Sequence, residues 1–254
     1  MPSFEPFDRS ARRRARDRAA ARIAGRAEIL SHVDHELAGR SALLGPAASG
    51  PHLRIGLLVA PPPGAMGCDP SFALAHRYRG VQCDEDRLPF ADSSFGTISA
   101  LMTMSGVNDL PGALILCRRA LKPGGRFIAA FAAGWSLASV REAFLKADIE
   151  AGSGVPARLG PTVDPAEAAS LLQRAGFVEP VVDVDTLAIR FANLMALARD
   201  IRAHGESGWL ATRTRGLTTP RRWAAAEAAF AQGADPDGRV TVDLQLLYLS
   251  ARAP

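Results

Sequence analysis

Residues 95–133, FGTISALMTMSGVNDLPGALILCRRALKPGGRFIAAFAA, hold two apolar segments on either side of an amphipathic one. The apolar segments predict buried strands, because they are short and uninterrupted by charge. The middle segment, 108–121, predicts a helix with Asn108 as its N-cap and Pro111 in its first turn. The sequence Lys122-Pro123-Gly124-Gly125 then ends this helix. A strand, a helix and a strand in this order predict a parallel βαβ unit.

The same alternation continues on both sides of this unit. Residues 8–44 predict a helical segment broken near Gly25, and residues 45–51 a linker. The other predicted strands are 53–60, 177–189 and 240–249, and the other predicted helices are 70–78, 136–147, 165–176, 191–203 and 220–231. We therefore predict an α/β fold with a mostly parallel sheet covered by helices on both faces. The predicted domains are an N-terminal basic helical arm, 1–50, and a domain over 51–254 with a helical insertion around 191–231.

Composition narrows the class of protein. The chain has 254 residues, 48% hydrophobic and 22% charged, which is typical of a globular protein and excludes disordered and disulfide-stapled chains. The longest apolar stretch, 127–135, is much shorter than the ~20 residues of a membrane helix. Three cysteines without C-x-x-C spacing predict reduced thiols and a cytoplasmic location.

The positive charge is concentrated at the N-terminus. The formal net charge is +4, yet residues 1–26 alone carry +5 and the remainder carries −1. The arginines there allow three interpretations: a solvated helix face, a surface for an acidic protein partner or the anionic inner membrane, and a nucleic-acid contact. The last is least favoured, because no aromatic residues or binding motif accompany the arginines. We expect the basic arm to lie apart from the chemistry of the cleft.

Ligands of open α/β sheets bind at the carboxyl ends of the strands. This rule selects the loops after Ala60, near Cys83, after Met104 and after Ala133. The second loop contains Asp84, four residues before Leu-Pro-Phe, where a carboxylate can accept a hydrogen bond from an adenine amino group. The alternative is a solvated turn held in place by the phenylalanine of that motif.

Several segments carry a family resemblance at familiar spacings. They are FDRSARRRARDRAAAR (7–22), DEDRLPFADSSFGTISA (84–100), VNDLPGAL (107–114), RRALKPGGRFIAA (118–130), LLQRAGFVEPVVDVD (171–185) and HGESG (204–208). Together they resemble class I S-adenosylmethionine (SAM)-dependent methyltransferases. Within these, they resemble the bacterial and mitochondrial branch that assists respiratory complex I assembly, and more distantly the biotin-pathway malonyl-carrier methyltransferases.

This resemblance implies a seven-stranded Rossmann-like sheet whose last strand is antiparallel, with SAM as cofactor. It implies that Asp84 contacts adenine and that Asp69, at the end of the second strand, contacts the ribose. In the complex I branch it also implies hydroxylation of an arginine on a complex I subunit, which would be the protein partner.

The loop after the first strand departs from the family pattern. The family has D-x-G-x-G-x-G, whose glycines and following helix N-terminus receive the cofactor. Residues 57–67 read LLVAPPPGAMG instead, without an acid and with three prolines that lack amide donors. Only eight residues, 61–68, separate the end of the first predicted strand from Asp69. We therefore predict that the first crossover helix is lost and that the second strand is short or absent. Alternatively, Gly64 and Gly67 rebuild a smaller cofactor pocket.

Two further loops on the same rim depart from the branch. The usual His-Trp pair is replaced by Ser105 and Gly106, and the usual Gly-Gly-Asp-Thr-Leu is replaced by residues 133–137, AGWSL. The acid is lost there, and Trp135 is expected to fill space that a ligand would occupy. The positions that carry the fold are thus kept, while the positions of the site are changed. This combination predicts a relative with an impaired SAM site.

Three hypotheses follow for function. The first is a methyltransferase-fold assembly or binding factor with an impaired SAM site, in contact with a complex I subunit and peripherally with the inner membrane. The second is an active methyltransferase or arginine hydroxylase, with Asp69, Asp84, Gly64 and Gly67 for the cofactor and Ser105 or Asn108 as catalytic candidates. The third is a nucleic-acid-binding module, for which no specific motif is found. The five scattered histidines have no metal-binding spacing, so no metal site is predicted.

Overall fold

The computed structural model describes residues 5–23, 25–152, 154, 156–213, 216 and 218–254. The helices are α1 Arg9–Arg22, α2 Glu28–Leu43, α3 Phe72–Arg77, α4 Leu110–Ala120, α5 Ala138–Glu150, α6 Pro165–Arg174, α7 Leu194–Ala203 and α8 Pro220–Ala231. The strands are β1 His52–Ile55, β2 Met66–Asp69, β3 Val81–Gln82, β4 Phe95–Leu101, β5 Leu121–Ala132, β6 Val178–Phe191 and β7 Val240–Arg252.

The strands form one seven-stranded sheet in the order β3-β2-β1-β4-β5-β7-β6. The pairs from β3 to β5 are parallel, and β7 runs antiparallel to both of its neighbours, β5 and β6. The predicted fold class, a mostly parallel sheet with an antiparallel last strand, is confirmed. The parallel half places the ends of β1, β2, β4 and β5 on one edge, where a ligand site is expected.

Helices cover both faces of this sheet. On one face, α4 and α6 pack on β1, β4 and β5 through buried residues such as Leu114, Cys117 and Leu172. On the other face, α2 buries Val33 and Leu37 against β5 and β7. A smaller cluster joins α5, α7 and α8 to the start of β7. Strands buried on both faces explain the nearly continuous apolar runs in the sequence.

The connection between β1 and β2 has the unusual form predicted from its length. Residues 56–65, all of which the structure describes, contain no helix, and β2 has only four residues. The predicted loss of the first crossover helix and the short second strand are both confirmed. Leu57 and Leu58 are buried against Ala19 of α1 and against Ile23, the C-cap of this helix, so α1 and this loop share one apolar cluster.

Two local predictions are wrong. The first strand does not extend from 53 to 60 but ends at Ile55, because Gly56 turns the chain with φ +90°. A Cβ at Gly56 would lie 2.4 Å from the carbonyl oxygen of Leu101, so only glycine fits there. The N-cap of α4 is Asp109, whose carboxylate accepts the Gly112 amide at 2.9 Å, and not Asn108.

Candidate functional site: an arginine face on an acid cluster

Four acidic residues lie where β2 and β3 end at the carboxyl edge of the sheet. Asp69 is the last residue of β2, and three consecutive acids follow just after β3. Asp69, Asp84 and Glu85 are at most 4% exposed. We call this set the acid cluster: Asp69, Asp84, Glu85 and Asp86. Buried carboxylates need hydrogen bonds and counter-charges, because leaving either unmet costs several kcal/mol.

Helix α1 supplies the counter-charges. It begins at its N-cap Asp8, whose carboxylate accepts the Ala11 amide at 2.8 Å. Residues spaced by three and four positions share one side of a helix. The residues on the side facing the acids, here called the arginine face, are Arg9, Arg12, Arg13 and Arg16.

Asp69, which the resemblance assigns to the ribose, is held by Arg16. The Arg16 Nε and Nη2 atoms donate to its two oxygens at 3.0 and 2.6 Å, and both side chains are 0% exposed. The backbone amides of Leu57 and Ser71 each donate to the same carboxylate at 2.8 Å. A carboxylate offers about four acceptor positions. All of them are therefore taken by donors from this chain.

Asp84, which the resemblance assigns to adenine, is held in the same way. Arg13 donates to its two oxygens at 3.2 and 2.6 Å, and Arg9 donates at 3.4 Å. Arg9 also binds both oxygens of Asp86, at 2.6 and 2.7 Å. In this arrangement the carboxylates of Asp69 and Asp84 do not fit a nucleoside. Donors of this chain, mainly arginines, already bind the oxygens that the hydroxyl and amino groups of a nucleoside need.

Glu85 links the arm to the end of β4. Arg12 donates to both of its oxygens, at 2.7 and 2.9 Å, and to the carbonyl oxygen of Thr103 at 2.8 Å. The Thr103 hydroxyl donates to Glu85 as well. Sequence reasoning did not single out Glu85 or Thr103. The only signal in the sequence was the spacing of the four arginines, which places them on one side of a helix. Composition does not indicate that this side binds acids 50 to 80 positions away.

The ion pairs shift the pKa values of the groups involved. Burial by itself lowers the pKa of Arg16, but the charge and hydrogen bonds of Asp69, together with the charges of Glu206 and Glu85, outweigh burial and raise this pKa overall. The same balance, between burial and Glu85, raises the pKa of Arg12. Burial would raise the pKa of Asp86, yet its hydrogen bonds from Arg9 lower it below the usual value. These shifts favour the charged forms of Arg12, Arg16 and Asp86.

The opposite side of the arm is fixed by the segment that follows α7. The amide of Asp8 donates to the carbonyl oxygen of Trp209 at 2.8 Å, and the Phe7 ring lies edge-on to Trp209 at 4.8 Å. A Cβ at Gly205 would lie 3.2 Å from the Arg16 Cα, so the glycine of the HGESG segment permits this close approach. The arm is thus clamped between the acid cluster and residues 204–210.

The remaining predicted site residues lie in different environments. Asn108 accepts the Phe7 amide at 2.9 Å and donates to the Phe7 carbonyl at 3.0 Å, so it binds the arm. Ser105 lines a cavity of about 200 Å³ beside the arm. Gly64 has φ +77° with open space around its Cα, and Gly67 packs on Leu57, whose Cδ2 would lie 2.8 Å from an added Cβ.

Two expectations about the cleft are wrong. Trp135 does not fill ligand space, because it is 80% exposed. The basic arm does not lie apart from the cleft, because its arginine face binds the acid cluster. The physical reason is the same in both cases. The position of a loop or an arm depends on its contacts with distant residues, which composition does not reveal.

Comparisons with known proteins agree with this architecture. A family described as "Methyltransferase domain" matches residues 65–129. A solved SAM-dependent methyltransferase from Thermotoga maritima superposes with a TM-score of 0.50 at 17% identity, over 91% of this chain and 95% of that one. The chain therefore has the fold of the class I SAM-dependent methyltransferases, and part of it matches their domain family.

Within this class, the chain is related to the mitochondrial arginine-hydroxylase NDUFAF5 of Danio rerio, with 31% identity over 68% of this chain and 54% of that protein. It is also 31% identical to a malonyl-[acyl-carrier protein] O-methyltransferase of Xylella fastidiosa, over 67% of this chain and 56% of that protein. The chain thus spans about half the length of the curated relatives it matches. Within the described ranges, no helix is long and apolar enough to cross a membrane.

Proposed function

We propose that this protein is a methyltransferase-fold binding factor that assists respiratory complex I assembly and whose nucleoside site is closed by its own N-terminal helix. The observation that carries the proposal is the pairing of Asp69 and Asp84 with Arg16 and Arg13. A ligand that needs these carboxylates must first displace two bidentate arginine contacts, which are among the stronger side-chain hydrogen bonds. The contact of Arg16 with Asp69 is fully buried, and that of Arg13 with Asp84 is partly exposed.

The loop after β1 supports the same proposal. Three consecutive prolines, 61–63, supply no amide donors to a cofactor carboxylate. The crossover helix that would direct its positive N-terminus there is replaced by a loop packed on α1. Both subsites of a bound SAM, the nucleoside and the amino-acid end, therefore lack their usual donors and acceptors.

The outward side of α1 supplies a docking surface for this function. Arg14, Arg18 and Arg22 are exposed and recur every four residues. No ion pair joins them to another residue in the described part of the chain. We assign this strip, the outer arginines, to an acidic surface of a complex I subunit, with the anionic face of the inner membrane as an additional contact.

Complementation in the source organism tests the proposal. In a strain that lacks the gene, Asp84→Asn should still restore complex I, measured on native gels, because the proposed function needs no cofactor. Arg13→Gln breaks the same ion pair from its other side and controls for protein abundance. Changing the three outer arginines to glutamate should abolish rescue. Loss of rescue by Asp84→Asn with normal abundance, while Arg13→Gln rescues, would contradict the proposal.

An active enzyme is the second candidate, and one observation favours it. Ser105 lines an open cavity next to the acid cluster, at the edge of the sheet where a methyl or hydroxyl acceptor would reach a cofactor. Under this alternative, α1 moves aside and Asp84 receives adenine. Asp84→Asn would then abolish both cofactor binding and rescue, which separates the two candidates.

A further inference from the structure

A cavity of about 200 Å³ lies beside the arm, and none of the four acids of the acid cluster lines it. It opens at the carboxyl edge of the sheet, between α7, the loop after β5 and the starts of α5 and β7. Its walls are mainly apolar and include Leu58, Met102, Leu197, Ile201, Val242 and Leu244. A dry cavity of about 150 Å³ with walls of this kind can hold a benzene molecule. The volume therefore suits a ligand body of six to eight carbon atoms.

Apart from Arg141, the charged side chains that line the cavity each lie close to a charged or polar group. Arg158 binds Asp148 at 2.8 Å, Glu206 faces Arg16 at 3.6 Å, and Asp200 faces His204 at 3.5 Å. Arg141 also lines the cavity, is exposed, and forms no ion pair or side-chain hydrogen bond with another residue of the described ranges. Arg141 is therefore a lining cation without a partner of its own in the described ranges.

Arg141 lies near the N-terminus of a helix that borders the cavity. Arg141 is in the first turns of α5, and Ser136 and Leu137, just before that helix, line the cavity too. The positive end of the helix dipole thus adds to the guanidinium at the open side. An anionic group would lie in the exposed mouth, where it keeps part of its hydration, while an apolar body enters between the leucines and isoleucine.

The geometry points to a binding site for a small apolar carboxylic acid, with the acid group at Arg141 and an aromatic or branched body in the cavity. This site lies outside the acid cluster, and the inference does not depend on whether SAM binds. The ligand class follows from the volume, the apolar walls and the single unpaired cation.

Calorimetry with two matched probes, phenylacetate and 2-phenylethanol, tests this site on the full chain. Phenylacetate should bind more tightly than the neutral alcohol. Arg141→Gln should weaken phenylacetate binding about five-fold, as expected for an exposed ion pair, and leave the alcohol unchanged. Arg141→Lys should restore most of the loss, and Arg18→Gln, which removes an equal charge elsewhere, should have no effect.

Variants that fill the cavity complete the test. Ile201→Phe should abolish binding of both probes, and Ala132→Leu, on the opposite wall, provides a second variant if the first unfolds. The proposal is overturned if phenylacetate does not bind, if both probes bind equally, or if Arg141→Gln has no effect. A titration with SAM tests only the proposed function. A failure of the proposed function can therefore be told apart from a failure of this inference.

Discussion

Arg16 is the residue on which the arrangement depends most. Its guanidinium and the carboxylate of Asp69 are both 0% exposed, and their contact joins α1 to the end of β2. A buried pair of this kind adds little stability compared with apolar residues of the same size, yet the removal of one partner leaves the other charge unpaired. The contact therefore fixes where the arm docks more than it adds to the total stability.

Replacement of Arg16 by methionine should destabilise the protein strongly. The Asp69 carboxylate would keep its two backbone amides but lose its counter-charge, at a cost of about 3 kcal/mol in the free energy of unfolding. Arg14→Met, on the exposed side of the same helix, should change that free energy by less than about 0.5 kcal/mol. Urea denaturation of both variants measures the difference, and equal stabilities would argue against a buried ion pair.

His52 gives the protein a pH dependence of predictable sign. Burial, together with the charge of Arg54, lowers the pKa of His52 to about 4, from about 6.5 in an unfolded chain. The folded state keeps the ring neutral, with Nε2 at 2.7 Å from the Ser99 hydroxyl. Its contribution is therefore complete above pH 6.5 and is lost as the pH falls toward 4.

His52→Gln should therefore reduce the loss of stability between pH 7 and pH 4.5. Urea midpoints at the two pH values, for wild type and variant, measure this. The comparison with wild type matters because burial raises the pKa of Glu206, so this group changes the stability with pH in the opposite direction. An identical pH dependence in both proteins would mean that His52 is not buried as described.

At the scale of elements, sequence patterns predict what depends on neighbours along the chain. The strand, helix and strand of residues 95–133 follow from apolar period and turn residues, and the Asp164-Pro165 start of α6 follows from capping chemistry. The N-cap of α4 could not be predicted, because Val-Asn-Asp offers two capping residues. The choice depends on Phe7, which binds Asn108 from 101 positions away.

The loop after β1 shows a similar limit. Its lost helix could be predicted from the eight residues, 61–68, between the predicted end of the first strand and Asp69, since chain length bounds what a crossover can contain. The early end of the strand could not, because the requirement at Gly56 comes from the carbonyl of Leu101 on the neighbouring strand. The docking of α1 on the acid cluster depends in the same way on long-range pairs.

Gly56→Ala and Gly64→Ala form a matched test of this loop. Both positions have positive φ, so each substitution should cost about 1 kcal/mol in unfolding free energy for the strained backbone. Only Gly56 adds a clash with backbone, at 2.4 Å, whereas Gly64 faces open space. Thermal unfolding should therefore show a clearly larger fall in Tm for Gly56→Ala. Equal falls would contradict the turn geometry.

At the scale of the whole molecule, one helix links three parts of the chain. Helix α1 pairs with the acid cluster, packs on the loop that replaces the crossover helix, and is held by the segment after α7. The arginines of α1, which account for the net charge of +4, therefore form two sets with different contacts. The arginine face neutralises buried acids, and the outer arginines remain available to a partner. The sheet of the methyltransferase fold is kept, while the two acids that the resemblance assigns to a nucleoside bind arginines of the protein itself.

Calorimetric titration of the intact protein with S-adenosylhomocysteine, repeated with SAM, tests the closed nucleoside site most directly. Because Asp69 and Asp84 already accept arginine hydrogen bonds, we predict no heat of binding up to millimolar ligand. A methyltransferase of the same fold that binds the cofactor serves as the positive control. Saturable binding of either ligand at micromolar concentration would contradict the account, because it would require α1 to leave the acid cluster at little cost.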